Sequence, residues 1–133
     1  MGEKTMQDFD DAAEFRIRTT TPITLSRFQR TNAERSARWM AGSPGWTTLE
    51  VAGELAGEVG ELANICKKLR RSEMGVPGNK LSDEDLRQQA KGEIGDVLIV
   101  LGLTASKLGI DLEEAVRDAF NAKSRHMGFP ERL

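Results

Sequence analysis

The chain carries one cysteine, Cys66, among 133 residues, so it cannot form an internal disulfide. Such a composition suits a reducing compartment, and a cytoplasmic location is expected. No apolar run approaches the ~20 residues of a membrane span, so no membrane partner is expected. The opening stretch MGEKTMQDFDDAAEF is acidic and lacks the apolar centre of a signal peptide. A basic excess is missing too: 19 Lys and Arg stand against 21 Asp and Glu, for a formal net charge of −2. That balance offers no electrostatic footprint for a polyanion, so no nucleic acid partner is expected.

What remains has the profile of a folded globular chain, with 38% apolar and 30% charged residues. Its length suits one core and needs no structural metal to fold. Residues 1–21 are polar and weakly periodic and read as a tail or arm. Pro22 closes it, and residues 22–133 read as a single helical domain.

Four helices are predicted. The first runs from about Leu25 to Met40, with Thr24 as N-cap and a stripe of Leu25, Phe28, Asn32, Arg35 and Trp39. Gly42, Ser43, Pro44 and Gly45 then break the chain. The second opens at Thr47, which with Glu50 forms a capping box. Its apolar face is Leu55, Val59, Leu62, Cys66 and Leu69, and it ends near Arg71. Ser72–Lys80, with two glycines and a proline, reads as a loop. Ser82 and Asp85 open the third helix, whose core face is Leu86, Ala90, Ile94, Val97, Leu98, Leu101, Ala105 and Leu108. Gly109 suits the left-handed residue that ends it. Asp111 and Glu114 open the fourth, to about His126, with Leu112, Ala115, Val116, Ala119 and Phe120 facing inward. The short Gly109–Ile110 connection predicts that the last two helices are neighbours. No hairpin and no strand–helix alternation is present, so the expected fold class is an all-α bundle of about four helices.

Two hexapeptides share one pattern: Gly57-Glu58-Val59-Gly60-Glu61-Leu62 and Gly92-Glu93-Ile94-Gly95-Asp96-Val97. Each puts two carboxylates at i and i+3, on one face of a helix. Glu54, one turn earlier, extends the first pair into a stripe of about 60° that borders the apolar face. Glycine inside a helix costs about 0.8–1 kcal/mol against alanine, so four of them beside the acids predict close helix approach there. Clustered like charges need a counter-charge, and Mg²⁺ suits an all-carboxylate set. A solvated helix face is the plain alternative for any one acid, but accounts poorly for a duplicated pattern. A di-iron centre would use Glu-x-x-His on two helices, and the single histidine, His126, follows neither pair.

These acid pairs on consecutive helices resemble the MazG-type all-α nucleoside triphosphate pyrophosphohydrolases, over roughly residues 25–133. The resemblance includes LANICKKLRR from Leu62 to Arg71, the Gly78–Lys80 loop, and Phe120-Asn121 leading to Gly128-Phe129-Pro130. Two features depart from the pattern. The 31 residues between Glu61 and Glu93 make a long gap, and Ala119 stands where many relatives carry lysine.

The resemblance implies an Mg²⁺-dependent enzyme, with Mn²⁺ as a substitute, that converts a (d)NTP to the (d)NMP and pyrophosphate. Glu58, Glu61, Glu93 and Asp96 correspond to the metal-binding acids, and Glu54 or Glu58 is the implied general base. Lys67, Lys68, Asn121, Lys123 and Arg125 are the implied phosphate or base contacts. The same lysines and arginines could equally be solvated or helix-end residues. Trp46, with Trp39 and Phe28, is a candidate to stack on a base, or else part of a core or interface. Cys66 reads as a small core residue. The alternative function is a catalytically idle nucleotide-binding or regulatory oligomer. Relatives assemble as dimers or tetramers, so the bundle is expected to be completed by self-association.

Overall fold

The computed structural model describes residues 22–133, so the expected tail, residues 1–21, lies outside it. Four helices follow: α1 (Leu25–Trp39), α2 (Thr48–Glu73), α3 (Asp83–Lys107) and α4 (Leu112–Met127). No strand occurs among the described residues. The all-α expectation therefore holds. No described helix is long and apolar enough to cross a membrane.

Local chemistry sets the boundaries. Thr24, Thr47, Ser82 and Asp111 each accept a backbone N–H of the first turn, as expected of N-caps. At Thr47 the capping box is complete: Glu50 accepts from the Thr47 N–H at 2.7 Å. α2 ends where Gly75 turns left-handed, at φ 68°. The loop that follows is fastened by Asn79, whose Nδ2 donates to the Lys68 carbonyl at 2.7 Å.

α2 and α3 form the long hairpin of the fold, α1 lies across α3, and α4 packs mainly on α1. The buried apolar residues are few: Val51 and Ile65 from α2, Leu86 and Ala105 from α3, and Leu112 at the start of α4. α1 meets α3 over Gly102. A Cβ there would stand 3.3 Å from both Asn32 Nδ2 and Phe28 Cε1. Hydrogen bonds hold α4 to α1. The Gln29 amide donates to the Ile110 carbonyl and accepts from the Leu112 N–H, each at 2.8 Å. The Glu113 carboxylate accepts from the Ser26 N–H at 3.2 Å and from its hydroxyl at 3.0 Å.

Several sequence expectations fail here. The third and fourth helices are not packed neighbours. Gly109, at φ 67°, and the Ile110 N–H on the Ala105 carbonyl at 2.9 Å close α3 in a Schellman turn. That turn sends α4 towards α1. Val59, Ile94, Leu98, Leu108, Val116 and Phe120 are 40–55% exposed rather than buried. Ala115, Ala119 and Cys66 are exposed as well. Periodicity marks an apolar face but not the neighbour that covers it. At Cys66 the core position belongs to the adjacent Ile65, about 100° away around the helix. Trp39 projects from the end of α1 and is 75% exposed.

Candidate functional site

The hairpin brings the two acid pairs together. One carboxylate oxygen each of Glu58, Glu93 and Asp96 lies within 4.8 Å of the other two. Glu58 and Glu93 are half-buried and Asp96 is exposed, so the group sits at the rim of the α2–α3 seam. Glu54 and Glu61 flank it on the same stripe of α2.

The electrostatics follow from that crowding. Burial, then the charges of Glu61, Asp96 and Glu54, push the Glu58 carboxyl above its ordinary range. Burial, then Glu61, Glu58 and Asp96, do the same to Glu93. All the side-chain charges acting on these two groups are acidic. Glu93 Oε2 is buried and has no hydrogen-bond partner. A buried acceptor without a donor is costly, and a cation is the group that would satisfy it. The donor set is entirely carboxylate oxygen, which suits a hard divalent ion such as Mg²⁺ over a soft one. The residues present therefore fit a divalent metal.

The glycines have a different role from the expected one. A Cβ on Gly57, Gly60, Gly92 or Gly95 would meet nothing within 4 Å. Among the described residues they serve no close helix approach. On α2, Gly57 and Gly60 lie away from the side holding Val51 and Ile65, at about 100° per residue. They leave open the surface beside the acid stripe.

A cavity of about 730 Å³ adjoins the acids. It lies between α1, the start of α2 and the second half of α3. Glu54, Trp46, Arg35, Ile99, Leu103 and Lys107 are among its lining residues. None of Glu58, Glu93 and Asp96 lines it, but the two features are contiguous. Glu54 stands one turn before Glu58, and Ile99 one turn after Asp96, about 5 Å along each helix. The Trp46 indole N–H is engaged by Met40 Sδ at 3.2 Å, which fixes the ring in the wall.

The remaining expected residues lie elsewhere in the chain. Lys67 and Lys68 are about two turns beyond Glu61 on α2, and neither is among the charges acting on Glu58 or Glu93. Asn121 is occupied by the chain's last residue: its Oδ1 accepts from the Leu133 N–H at 2.9 Å and its Nδ2 donates to the Leu133 carbonyl at 3.3 Å. Lys123 borders a hollow shared with Phe120, Phe129 and Glu131. Arg125 is exposed on α4. Sequence reasoning passed over Arg35 and Asn32 as site residues. The available signal was a polar residue in the apolar register of the first helix, since Asn32 proves to be 4% exposed.

The model of one family, the MazG nucleotide pyrophosphohydrolase domain, matches residues 47–126, from the cap of α2 to the last turn of α4. No curated protein and no solved structure matches the chain significantly.

Proposed function

Since the chain belongs to the MazG nucleotide pyrophosphohydrolase family, we propose that it is an Mg²⁺-dependent enzyme that hydrolyses a (d)NTP to the (d)NMP and pyrophosphate. The observation that carries this reading is the carboxylate triad with its orphaned Glu93 oxygen. Glu58, Glu93 and Asp96 hold the ion, Glu61 completes the set from the same stripe, and Mn²⁺ can substitute. When bound, the divalent ion neutralises phosphate charge and makes water more acidic.

The chain's own residues supply the rest. Glu54 lies between the triad and the cavity, so a carboxylate stands at the junction where the α-phosphate meets the nucleoside. It accepts the proton of the attacking water. The new bond forms between that water's oxygen and the α-phosphorus. The α–β bridging P–O bond breaks, and pyrophosphate leaves with the bridging oxygen. Trp46 offers a fixed aromatic face for the base within the adjoining cavity. Lys67, Lys68, Lys123 and Arg125 lie away from these acids within one chain, so they serve phosphate through a second copy of the chain, while Asn121 is engaged by Leu133 and fastens it to α4 instead. The chain has no GxxxxGK(S/T) loop to cradle β- and γ-phosphates, which weighs against ordinary γ-phosphate hydrolysis.

Chromatography of a (d)NTP incubated with the full chain and Mg²⁺ tests the reading. Monophosphate and pyrophosphate should appear in equal amounts, and Asp96→Asn should abolish both. Nucleoside diphosphates should be poor substrates. Diphosphate and free phosphate as first products would overturn the cleavage position. Tight Mg²⁺ and nucleotide binding without turnover would favour the idle, regulatory alternative.

A further inference from the structure

The cavity beside the acids carries polar groups that the metal chemistry does not use. Asn32 is nearly the only buried polar side chain among the described residues, shared with Ser124. Its Nδ2 donates to the Ile99 carbonyl of α3 at 2.8 Å. Its Oδ1 accepts from Arg35 Nη2 at 3.2 Å. The amide thus anchors to one helix and holds a guanidinium on another. Burying an amide is unfavourable unless its hydrogen bonds are made, and here both ends are used. Arg35 lines the cavity, and no carboxylate of the described residues pairs with it. Both residues lie outside the matched span, residues 47–126.

We propose that Arg35, held in place by Asn32, is the residue that selects the base, favouring nucleotides whose base carries a ring carbonyl over those of adenine. This rests on the pyrophosphohydrolase reading only for the placement of the nucleotide. Three observations lead to it. First, Arg35 lines the cavity while none of Glu58, Glu93 and Asp96 does, so it stands on the cavity side of the acids rather than among them. Second, the cavity starts one helical turn from the triad, which is the offset of a nucleoside from its α-phosphate. Third, the cationic side chains of the wall away from the acids are donors, and the Ser36 hydroxyl beside them can both donate and accept. Arginine and lysine donate and cannot accept, and Lys107 shares the wall with Arg35. The Ser106 hydroxyl donates to the Gly102 carbonyl at 3.0 Å and accepts from Gln29 at 3.3 Å. The one carboxylate of the lining, Glu54, stands at the acid end. Guanine, cytosine, uracil and thymine all offer a carbonyl oxygen to such a wall. Adenine accepts only at ring nitrogens, and its N7 lies beside the exocyclic amine, a donor that meets the second arm of the guanidinium fork, whereas guanine offers that fork two adjacent acceptors, O6 and N7.

Binding and turnover test this separately. The chain has two tryptophans, Trp39 and Trp46, and no tyrosine. Both tryptophans line this cavity, so intrinsic fluorescence reports on it directly. Quenching should be titrated with GMP, CMP, UMP, dTMP and AMP without metal, and kcat/KM measured for the matching triphosphates with Mg²⁺. Wild type should favour the carbonyl bases over adenine by about tenfold, the scale of one good arginine–base contact. Arg35→Met should bring that ratio to about one, the fall being larger for the carbonyl bases than for adenine in both binding and turnover. Arg35→Lys keeps the charge without the planar fork and should not restore the ratio. Asn32→Asp should lower the ratio as well, because it keeps an acceptor for Arg35 but loses the amide N–H that anchors the side chain to the Ile99 carbonyl. An equal loss for all five bases in Arg35→Met would make Arg35 a phosphate contact and overturn the proposal, as would an unchanged ratio. Base-selective quenching without pyrophosphate release would uphold the role of Arg35 while the proposed activity failed.

Discussion

The acids of the α2–α3 seam are arranged at a cost to the metal-free protein. Glu58 and Glu93 have carboxyls raised above the ordinary value, first by burial and then by neighbouring acids. A raised folded-state pKa contributes stability in full below the unfolded value, about 4.3 for glutamate, and loses it as pH rises through the folded one. At neutral pH both groups therefore oppose folding until a cation joins them. Glu93→Gln should raise the metal-free thermal midpoint at pH 7.5 and abolish the further rise that Mg²⁺ gives the wild type. At pH 4 the Mg²⁺ effect on wild type should nearly vanish. A midpoint in Glu93→Gln that is lower without metal and still responsive to Mg²⁺ would contradict the assignment. The duplicated Gly-Glu-x-Gly-acid pattern made these residues legible in sequence, because i and i+3 spacing fixes a face of a helix. Arg35 was not legible as a site residue. Its placement depends on the crossing of α1 over α3, which no local spacing encodes.

Helix ends were read well because caps are local. Thr24, Thr47, Ser82 and Asp111 need only their own first turn. Helix packing was read less well. Glycine shows the difference: the four glycines beside the acids face open space, while Gly102 lies at a true crossing. Gly102→Ala should destabilise by about 1–3 kcal/mol, the usual range for overpacking, since Asn32 is fixed by its bond to the Ile99 carbonyl and cannot retreat freely. Gly57→Ala should instead stabilise the protomer by about 0.4–1 kcal/mol through helix propensity. Urea unfolding of both variants checks the pair, and the reverse order would refute this account of the crossing. The α1–α4 junction gives a pH test. The Ser26 N–H and hydroxyl on Glu113, helped by Arg117, hold the Glu113 carboxyl below its ordinary range. A lowered folded-state pKa contributes stability above the unfolded value and loses it as pH falls through the folded one. Glu113→Ala should therefore lower the urea midpoint at pH 7, and the gap from wild type should close as the pH falls below about 4. A gap that is constant with pH would assign the loss to packing alone.

At the scale of the whole molecule, the described residues bury little of their apolar content. Five apolar residues are buried among those described, while Val59, Ile94 and Leu98 on the hairpin and Val116, Phe120 and Phe129 at the chain's end stand at least 40% exposed. Isolated exposed apolar residues are ordinary, but these recur along helix faces in the register of a core. The sequence marked Val59, Ile94, Leu98, Val116 and Phe120 as inward-facing, and that reading keeps its physical sense if inward means towards a second copy of the chain. The electrostatics point the same way. No cation is among the groups acting on Glu58 and Glu93, while Lys123 and Arg125 lie exposed on α4 and make no salt bridge among the described residues. A partner that covers the apolar faces would also bring cations to the acidic rim, so assembly and activity should be lost together. Phe120→Glu places a charge on the α4 face without touching the acids, the cavity lining or the buried core, and Ile94→Glu places one on the hairpin face beside Glu93. Analytical ultracentrifugation should show the wild type as a dimer or tetramer and at least one of these variants as a folded monomer, with helical circular dichroism retained. The monomeric variant should still bind Mg²⁺ but lose pyrophosphate release by at least about tenfold, the effect of removing a charge-assisted contact worth roughly 1.5–3 kcal/mol. A wild type that is monomeric and fully active at micromolar concentration would mean that one protomer's acids and cavity suffice, and the exposed faces would then need another explanation.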